Sequence, residues 1–579
     1  MPSAAYDRRA FMTYFTSVGL GSTLLPGVLW SQVAAGADIT TESVACAAEV
    51  AGLEFDDAER EMMVDGLKQQ ARRLQALHEI PLPNEISPAI IFDPRPAHSP
   101  STAASAPPDV RMKRSTVRLP RVPSNLEDLA FAPVTVLSEL VRTRRVTSEQ
   151  LTRMYLGRLE RYDPTLQCVV SLTTERALRQ AREMDAEIAR GRYRGPLHGI
   201  PWGAKDLLAV RGYKTTWGAG PYREQTIDAD AEVVQRLDAA GAVLIAKLTL
   251  GELAQGDRWF GGQTKNPWKL DQGSSGSSAG PSSTTAAGLV GFSIGSETLG
   301  SISSPSTRCG NTGLRPSFGR VPRTGAMALS WTMDKLGPIC RSVEDCALVL
   351  DAIHGPDGHD KTCIAAPFAW DATIAPSALR IGYVKAAFDL PITDPANAER
   401  QMHPTKPYDD AALGVLRRLG VRLIPVELPD LAYDAMRIIL TAEAAAAFDE
   451  LTRSNRDAEL VQQGRFDWAN TFRTARFIPA VDYINANRVR SMAIEQWDEL
   501  FRDIDVIVTP TGAAGLSQLV ATNLTGHPAV ILPNGFRDDG TPVSLTFLGR
   551  LFGERELLAV AHAYQSATEW HLRHPTLEA

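Results

Sequence analysis

The chain has 579 residues and a mass of 62.8 kDa, which is too long for one small domain. Its hydrophobic share of 44% and charged share of 22% are ordinary for a soluble globular protein, and its net charge of −7 lacks the basic stripe of a nucleic-acid binder. The six cysteines are scattered without a CxxC pair, and neither an HExxH motif nor a GxxxxGK[ST] loop occurs. We therefore expect no zinc site and no cofactor.

The N-terminal segment resembles a twin-arginine export signal. Arg8 and Arg9 precede an uncharged, moderately apolar stretch over residues 13–30, and small residues at 33–37 could be a cleavage site. An uncleaved membrane anchor is the main alternative, but glycines and a proline within residues 19–27 weaken a spanning helix. The other alternative is that Arg8 and Arg9 stand next to each other by chance. We predict a signal peptide over residues 1–37, a periplasmic or exported protein, and no stable membrane insertion after its removal.

Two helices are predicted between residues 39 and 78. Thr40 or Thr41 could cap the first, and Asp56 or Asp57 the second, which carries apolar residues at three-and-four spacing. Prolines then recur over residues 81–124, a pattern typical of a linker or of a strap lying along another surface. The predicted domains are a helical N-terminal extension over residues 38–80, this linker, and a catalytic domain over residues 125–579.

After residue 124, predicted helices alternate with short apolar strands. Helices are expected over residues 137–140, 148–162, 231–239, much of 433–501, and 554–570. Strands are expected over residues 200–205, 243–247, 380–384, 421–426, 506–509, 529–532 and 543–548. This order predicts an α/β fold with a buried sheet, in which loops at strand ends hold the functional residues.

Residues 273–310 form an unusual run of small and hydroxylated residues with no histidine. Residues 276–280 match the GxSxG pattern of a nucleophile elbow, with Ser278 at its centre. An elbow requires a central strand directly before it, whereas residues 266–273 are polar and contain Pro267. The elbow is therefore rejected.

Three segments, GIPWGAKD at 199–206, GSSAG at 276–280 and GSETLGS at 295–301, together resemble the amidase signature family. The interval of 24 residues between Ser277 and Ser301 fits the family, whereas Ser274 lies 27 residues away. Supporting blocks lie at residues 263–268, 309–316 and 523–529, so the resemblance covers the chain from about residue 125 onward. Ala279, Pro281 and Leu299 depart from the commonest form of the family, which bears on substrate more than on mechanism.

The resemblance implies an amidase-signature fold, with a large mixed β-sheet covered by helices on both faces. It also implies that Ser301 is the nucleophile and that Ser277, in a cis peptide, relays a proton to Lys205. A serine hydroxyl needs a base, and without histidine in the run a desolvated, unprotonated lysine is the plausible one. Asp206 would oppose this if it faced Lys205. The oxyanion is expected to bind backbone N–H groups of Thr298, Leu299, Gly300 and Ser301.

The remaining candidate residues are not expected to take part in the reaction itself. His198 is interpreted as a turn or packing residue, and Cys309 as a buried thiol although it follows Ser301 closely. Four aromatic residues could line an acyl pocket, with core packing as the alternative: Trp202, Trp259, Phe260 and Trp331.

We therefore predict a stand-alone amidase that cleaves linear amides through an acyl-enzyme, with side activity on esters or carbamates. The expected partner is a small-molecule amide rather than nucleic acid, and a homodimer is compatible with the sequence. The alternative is a glutaminase component of a tRNA-dependent amidotransferase, because the N-terminal helices and strap resemble its small C subunit, notably at residues 51–54. An inactive binding protein is a third hypothesis, against which all three predicted catalytic positions are occupied.

Overall fold

The computed structural model describes residues 38–50, 53–81, 89–90, 112–513 and 517–577. The predicted signal peptide, residues 51–52 and most of the proline-rich linker lie outside the described residues. No helix in the described ranges is long and apolar enough to cross a membrane.

The chain divides into two compact units. One, the helical unit, comprises Met1–Phe92 and Leu431–Ala493, and the other, the sheet unit, comprises Asp93–Asp430 and Ile494–Ala579. The domain boundaries after residues 37, 80 and 124 stay a prediction.

The helical unit begins with the two predicted helices, α1 (Thr41–Val50) and α2 (Asp57–His78). Asp56 starts α2, because its carboxylate accepts the Glu59 N–H at 2.8 Å while the Glu59 side chain accepts the Asp56 N–H at 3.0 Å. The apolar stripes of both helices pack into one buried cluster with a residue from the later part of the unit: Ile39, Val44, Ala47, Ala48, Phe55, Met63, Leu67 and Phe477. The prediction of two helices here is confirmed.

The remaining described α-helices are, in chain order, α3 (Val134–Arg142), α4 (Ser148–Leu166), α5 (Thr174–Ala189), α6 (Glu232–Ala239), α7 (Ala279–Ala286), α8 (Ser303–Cys309), α9 (Val343–Ile353), α10 (Lys385–Asp389), α11 (Lys406–Arg418), α12 (Tyr433–Met436), α13 (Ile438–Ala447), α14 (Asp449–Arg453), α15 (Trp468–Ala475), α16 (Ala480–Leu500), α17 (Ser517–Thr525) and α18 (Glu554–Thr568). The described strands are β1 (Val169–Leu172), β2 (Pro201–Lys205), β3 (Val243–Leu248), β4 (Arg258–Trp259), β5 (Gly262–Gln263), β6 (Lys265–Asn266), β7 (Lys269–Gly273), β8 (Phe292–Glu297), β9 (Thr312–Arg315), β10 (Lys335–Cys340), β11 (Ile381–Val384), β12 (Thr393–Asp394), β13 (Asn397–Gln401), β14 (Leu423–Val426), β15 (Val506–Pro510), β16 (Ala529–Phe536) and β17 (Pro542–Gly549).

The sheet unit is built on an 11-stranded sheet with the order β1-β3-β2-β8-β10-β9-β16-β17-β15-β11-β14. Strand β2 pairs in parallel with both β3 and β8, whereas β8 and β10 are antiparallel, so the sheet is mixed. Strands β2, β3 and β8 are buried along their whole length, which fits the mostly apolar sequence of β3, whereas β8 also carries two serines and a glutamate. The predicted α/β fold with a large mixed sheet is confirmed.

The described end of the proline-rich segment lies along the sheet unit. Lys113 donates its N–H to the Trp370 carbonyl at 2.8 Å and accepts the Ala372 N–H at 2.8 Å, forming an isolated parallel bridge with Asp371. The Ser115 N–H donates to Glu344 Oε1 at 2.8 Å. This part of the segment therefore pairs with another surface, as a strap does.

A buried ion pair joins α18 to the chain that follows β9, and it gives a stability prediction. Arg320 Nη2 lies 2.7 Å from Glu554 Oε2, with both side chains fully buried, and Glu554 Oε1 also accepts the Ser317 N–H at 2.8 Å. Glu554→Ala would leave the Arg320 charge buried without its carboxylate, so we expect the free energy of unfolding to fall by about 3–5 kcal/mol.

Urea denaturation followed by circular dichroism measures this change. Asp389→Ala is the matched control, because it removes an exposed ion pair with Lys385 and should barely alter the midpoint. Equal midpoints for the two variants would contradict the prediction.

Candidate active site

The carboxyl ends of two parallel strands bring the predicted catalytic segments together. Lys205 is the last residue of β2, and the neighbouring strand β8 ends at Glu297. The register pairs Ala204 with Ile294, so the end of β2 lies beside the last residues of β8. Because parallel strands end at the same edge of a sheet, residues far apart in sequence meet here.

The Lys205 amine is enclosed by serine hydroxyls. Its Nζ lies 2.8 Å from Ser277 Oγ, 3.0 Å from Ser278 Oγ and 2.9 Å from Ser296 Oγ. The side chain is fully buried, and this burial lowers the pKa of Lys205 well below its ordinary value, against the opposing charges of Asp334 and Glu297. Burial thus shifts the balance toward the neutral amine, which is the form that can accept a proton from a hydroxyl.

Asp206 does not oppose this effect, because it faces another lysine. Lys247 Nζ lies 2.6 Å from Asp206 Oδ1, with both side chains fully buried, and the Thr216 N–H donates to Asp206 Oδ2 at 2.8 Å. The Asp206 carboxylate is thus the counter-ion of Lys247 and not of Lys205.

Ser277 lies in a tightly packed turn. The Gly276–Ser277 peptide bond is cis, and Ser277 is almost fully buried. A Cβ added to Gly276 would lie 1.8 Å from the Gly256 carbonyl oxygen, so only glycine fits at this position. Its neighbour Ser278 is held by Ser296, whose carbonyl accepts the Ser278 hydroxyl at 3.1 Å.

The structure also bears on the two rejected alternatives. Strand β7 does precede the GSSAG segment, but it pairs only with β6 in a two-stranded sheet, so Ser278 does not follow a central strand. The Ser274 hydroxyl donates to the Ser275 carbonyl at 2.9 Å, whereas the lysine amine contacts Ser277. The relay role given to Ser277 from the 24-residue interval stays a prediction.

Ser301 lies in the turn between β8 and α8 and is 8% exposed. Its carbonyl accepts the Ser278 N–H at 3.1 Å, which ties the two serine segments together. Gly300 adopts a φ of 89°, a left-handed conformation that favours glycine. The Ser301 backbone is therefore joined to the segment whose hydroxyls contact Lys205.

Glu297 holds the chain that follows Ser301. Its Oε2 accepts the N–H groups of Ile302 at 2.9 Å and Ser303 at 2.8 Å, while its Oε1 accepts from Arg315 Nη1 at 2.9 Å and Asn523 Nδ2 at 2.8 Å. Burial favours the protonated form, but Arg315, Lys335 and the Ser303 N–H together outweigh it and lower the pKa of Glu297 to about 2. The carboxylate is thus charged at neutral pH and fixes the turn that follows Ser301.

Asp334 anchors the first of the predicted oxyanion residues. The Thr298 hydroxyl donates to Asp334 Oδ1 at 2.6 Å, and Asp334 Oδ2 accepts the N–H groups of Leu329 at 2.8 Å and Ser330 at 2.9 Å. Burial raises the pKa of Asp334, whereas its hydrogen bonds with Thr298, Leu329 and Ser330 lower it. Neither Glu297 nor Asp334 was assigned a role from the sequence, because a single acidic residue inside a motif does not reveal which N–H groups it will meet.

His198 and Cys309 occupy packing positions. His198 is buried, with Nδ1 accepting the Arg194 N–H at 3.2 Å and Nε2 lying 3.0 Å from the Met184 carbonyl, and burial lowers its pKa. Cys309 is buried with Sγ 3.6 Å from the Ser274 carbonyl, and burial raises the pKa of its thiol. A protonated thiol is a poor nucleophile, as expected from the sequence.

The four aromatic candidates are dispersed. Trp202 is fully buried within β2 and stacks on Phe292 with ring centroids 6.0 Å apart, which is a packing role. Trp259 and Phe260 meet edge to face at 4.8 Å, and Trp331 is 47% exposed. A cavity of about 320 Å³ lies elsewhere and none of the four lines it. Their assignment to an acyl pocket stays a prediction.

The fold and this serine–lysine cluster define a class of hydrolase, and comparisons identify the family. The model of the protein family described as Amidase matches residues 150–558, and the chain belongs to this family. The A subunit of the glutamyl-tRNA(Gln) amidotransferase of Methylococcus capsulatus is 35% identical over 75% of this chain and 96% of the relative. Its counterpart from Azoarcus sp. strain BH72 is 34% identical over 77% of this chain and 99% of the relative.

Among solved structures, the native peptide amidase from Stenotrophomonas maltophilia superposes with a TM-score of 0.65 at 29% identity. The match covers 78% of this chain and 99% of that enzyme. The family prediction made from the three motifs is therefore confirmed, whereas the resemblance of the N-terminal segment to a C subunit stays a prediction.

Proposed function

We propose that this chain hydrolyses the C–N bond of a carboxylic amide through an acyl-enzyme formed on Ser301. The observation that carries the proposal is the Lys205 amine, which is fully buried, has a lowered pKa and lies 2.8 Å from Ser277 Oγ. A neutral lysine in contact with a serine, beside a second serine on a tight turn, supplies the base and the nucleophile of acyl transfer.

In the proposed reaction, the Ser301 hydroxyl attacks the amide carbonyl as its proton passes through the Ser277 hydroxyl to the Lys205 amine. The tetrahedral oxyanion accepts hydrogen bonds from backbone N–H groups between Thr298 and Ser301. The lysine returns the proton by the same path to the leaving nitrogen, which departs as an amine or ammonia. Water then attacks the Ser301 ester with Lys205 as base, releasing the carboxylic acid and restoring the hydroxyl.

Glutamine is the second candidate substrate. Curated relatives that are 34–35% identical are named as the A subunit of glutamyl-tRNA(Gln) amidotransferase, and this likeness favours a glutaminase reaction over other small amides. The proposed export signal at residues 1–37 favours a stand-alone amidase instead, because aminoacyl-tRNA is a cytoplasmic substrate. Both candidates use the same acyl-enzyme chemistry and differ in the acyl group and in dependence on partners.

The test measures ammonia or amine release by the purified chain from glutamine, a C-terminally amidated peptide and an aryl anilide. Labelling with a fluorophosphonate, followed by peptide mass spectrometry, identifies the nucleophile. Turnover of the peptide or the anilide by the chain alone supports the stand-alone amidase. Glutamine turnover that requires aminoacyl-tRNA and further amidotransferase components supports the glutaminase. If the chain is not labelled and turns over none of these amides, only a binding role would remain.

A further inference from the structure

The cavity of about 320 Å³ in the sheet unit lies next to the Ser301 turn. Ser303 and Ser304, which directly follow the turn, line it, and so does Ser275, two residues before Ser277. A Cβ on Gly300 would lie 3.4 Å from Leu519 Cδ2, and Leu519 is another lining residue. A substrate bound to Ser301 therefore has this volume within reach.

The polar lining of the cavity favours a negatively charged group. It contains Arg308 and Arg315 together with serine and threonine hydroxyls, and no aspartate or glutamate is among its lining residues. Asp257 approaches Ser275, but its carboxylate accepts the Ser275 N–H at 2.9 Å and Gln263 Nε2 at 2.9 Å. Arginine presents a planar set of donors that matches a carboxylate.

The two arginines play different parts. Arg315 is fully buried, and its charge is compensated by Glu297, with Nη2 also donating to Thr522 Oγ1 at 2.8 Å. Arg308 is exposed and donates to the neutral Gln272 Oε1 at 3.2 Å, and its guanidinium has no acidic partner within the described residues. Arg308 is exposed and also lines the cavity, so it lies at the opening of the cavity and gives the cavity a net positive charge.

Two polar atoms of the lining residues are buried without a partner among the described residues. Arg315 Nε, a donor, and Gln518 Oε1, an acceptor, are buried without a hydrogen-bond partner in the described part of the chain. Buried polar groups are normally paired, because desolvation without a hydrogen bond is costly. Of the two, only the Arg315 donor is complementary to a carboxylate, because Gln518 Oε1 and a carboxylate oxygen are both acceptors.

We propose that this cavity binds a carboxylate of the substrate, with Arg308 as its specificity-determining residue, so that the preferred substrates are amides that also carry a carboxylate. This inference rests on the proposed amide hydrolysis at Ser301 and adds the substrate class. It applies to an acyl chain ending in a carboxylate, as in glutamine or succinamate, and to a leaving amine that carries one.

The test compares matched substrates that differ only in the carboxylate. The acyl pair is the 4-nitroanilides of succinic and butyric acid, and the amine pair is the butyramides of 4-aminobenzoate and aniline. We expect kcat/KM to be about 10- to 100-fold higher for the charged member of at least one pair, the range of a hydrogen bond to a charged group. Arg308→Gln should remove this preference mainly through KM, and Arg308→Lys should retain part of it.

Arg179→Gln is the matched control, because Arg179 is exposed on α5 and lines no part of the cavity. Equal turnover within both pairs by the wild-type chain would overturn the inference, and so would a preference that survives in Arg308→Gln. In either case the proposed amide hydrolysis would stand. Absence of turnover and of Ser301 labelling would instead overturn the proposed function, and this inference with it.

Discussion

Ser301→Ala is expected to lower kcat by about 10⁶-fold, because it removes the hydroxyl proposed to form the acyl-enzyme. The hydroxyl group is small and Ser301 is 8% exposed, so the variant should fold and bind substrate with little change in KM. Burst kinetics and intact mass after rapid quenching measure the loss of both turnover and the acyl-enzyme.

Ser306→Ala is the matched control for this prediction. Ser306 lies five residues later on α8, is also buried, and its hydroxyl makes no hydrogen bond within the described residues. We expect its kcat to stay near the wild-type value. If Ser301→Ala kept more than about a hundredth of the activity, the nucleophile would have to be sought elsewhere in the cluster.

Lys205→Met is expected to lower kcat by about 10⁴-fold or more, because it removes the only base that contacts Ser277 in the predicted proton path while keeping an unbranched side chain of similar length. Because methionine leaves the hydroxyls of Ser277, Ser278 and Ser296 without the amine, the free energy of unfolding is measured beside kcat to separate loss of the base from loss of structure. Lys361→Met, at an exposed position, is the control for loss of a lysine charge.

The pH dependence of the wild-type enzyme follows from the same residue. Burial lowers the pKa of Lys205, and the catalytic form is the neutral amine. The value of kcat/KM should therefore rise with pH through this lowered pKa, reach a plateau well below pH 10.5, and fall at acidic pH as the amine becomes protonated. A rise centred near the ordinary lysine pKa would contradict the assignment of Lys205 as the buried base.

A matched pair of serine variants separates the two relay candidates. Ser277→Ala should lower kcat because it removes the hydroxyl that contacts Lys205, whereas Ser274→Ala removes only a hydrogen bond to the Ser275 carbonyl. Comparable activities for these two variants, measured with the same anilide, would show that Ser277 is not the relay.

Much of the fold could be predicted from local sequence patterns. The buried strands β3 and β17 and the helix α4 were predicted within a few residues, because long apolar or amphipathic segments with capping residues favour one structure. Strands β8, β9 and β10 were not predicted. They contain glycines, serines and a proline, and they are strands because the sheet places them between β2 and β16.

In the hydroxyl-rich run of residues 273–310, too, some features could be predicted from the sequence and others could not. Its two motifs, together with the GIPWGAKD segment at 199–206, were enough to predict the family and the three residues proposed for catalysis, and the 24-residue interval selected Ser277, because motif residues and spacings are properties of the chain itself. The run has two charged residues, Glu297 and Arg308, and this rarity could have singled them out. Their roles could not be predicted, because one meets N–H groups of the following turn and the other faces a cavity.

The sequence by itself determined the family, the residue types available for acyl transfer and the chain segments that carry them. Only the tertiary structure decided that Lys205 meets Ser277, Ser278 and Ser296 while Asp206 turns to Lys247. The parallel register of β2 and β8 brings Ser296 beside Lys205 across 91 positions, and the chain just before α7 adds Ser277 and Ser278 at the same buried edge of the sheet. Burial at that edge lowers the pKa of the lysine, and no local pattern contains that information.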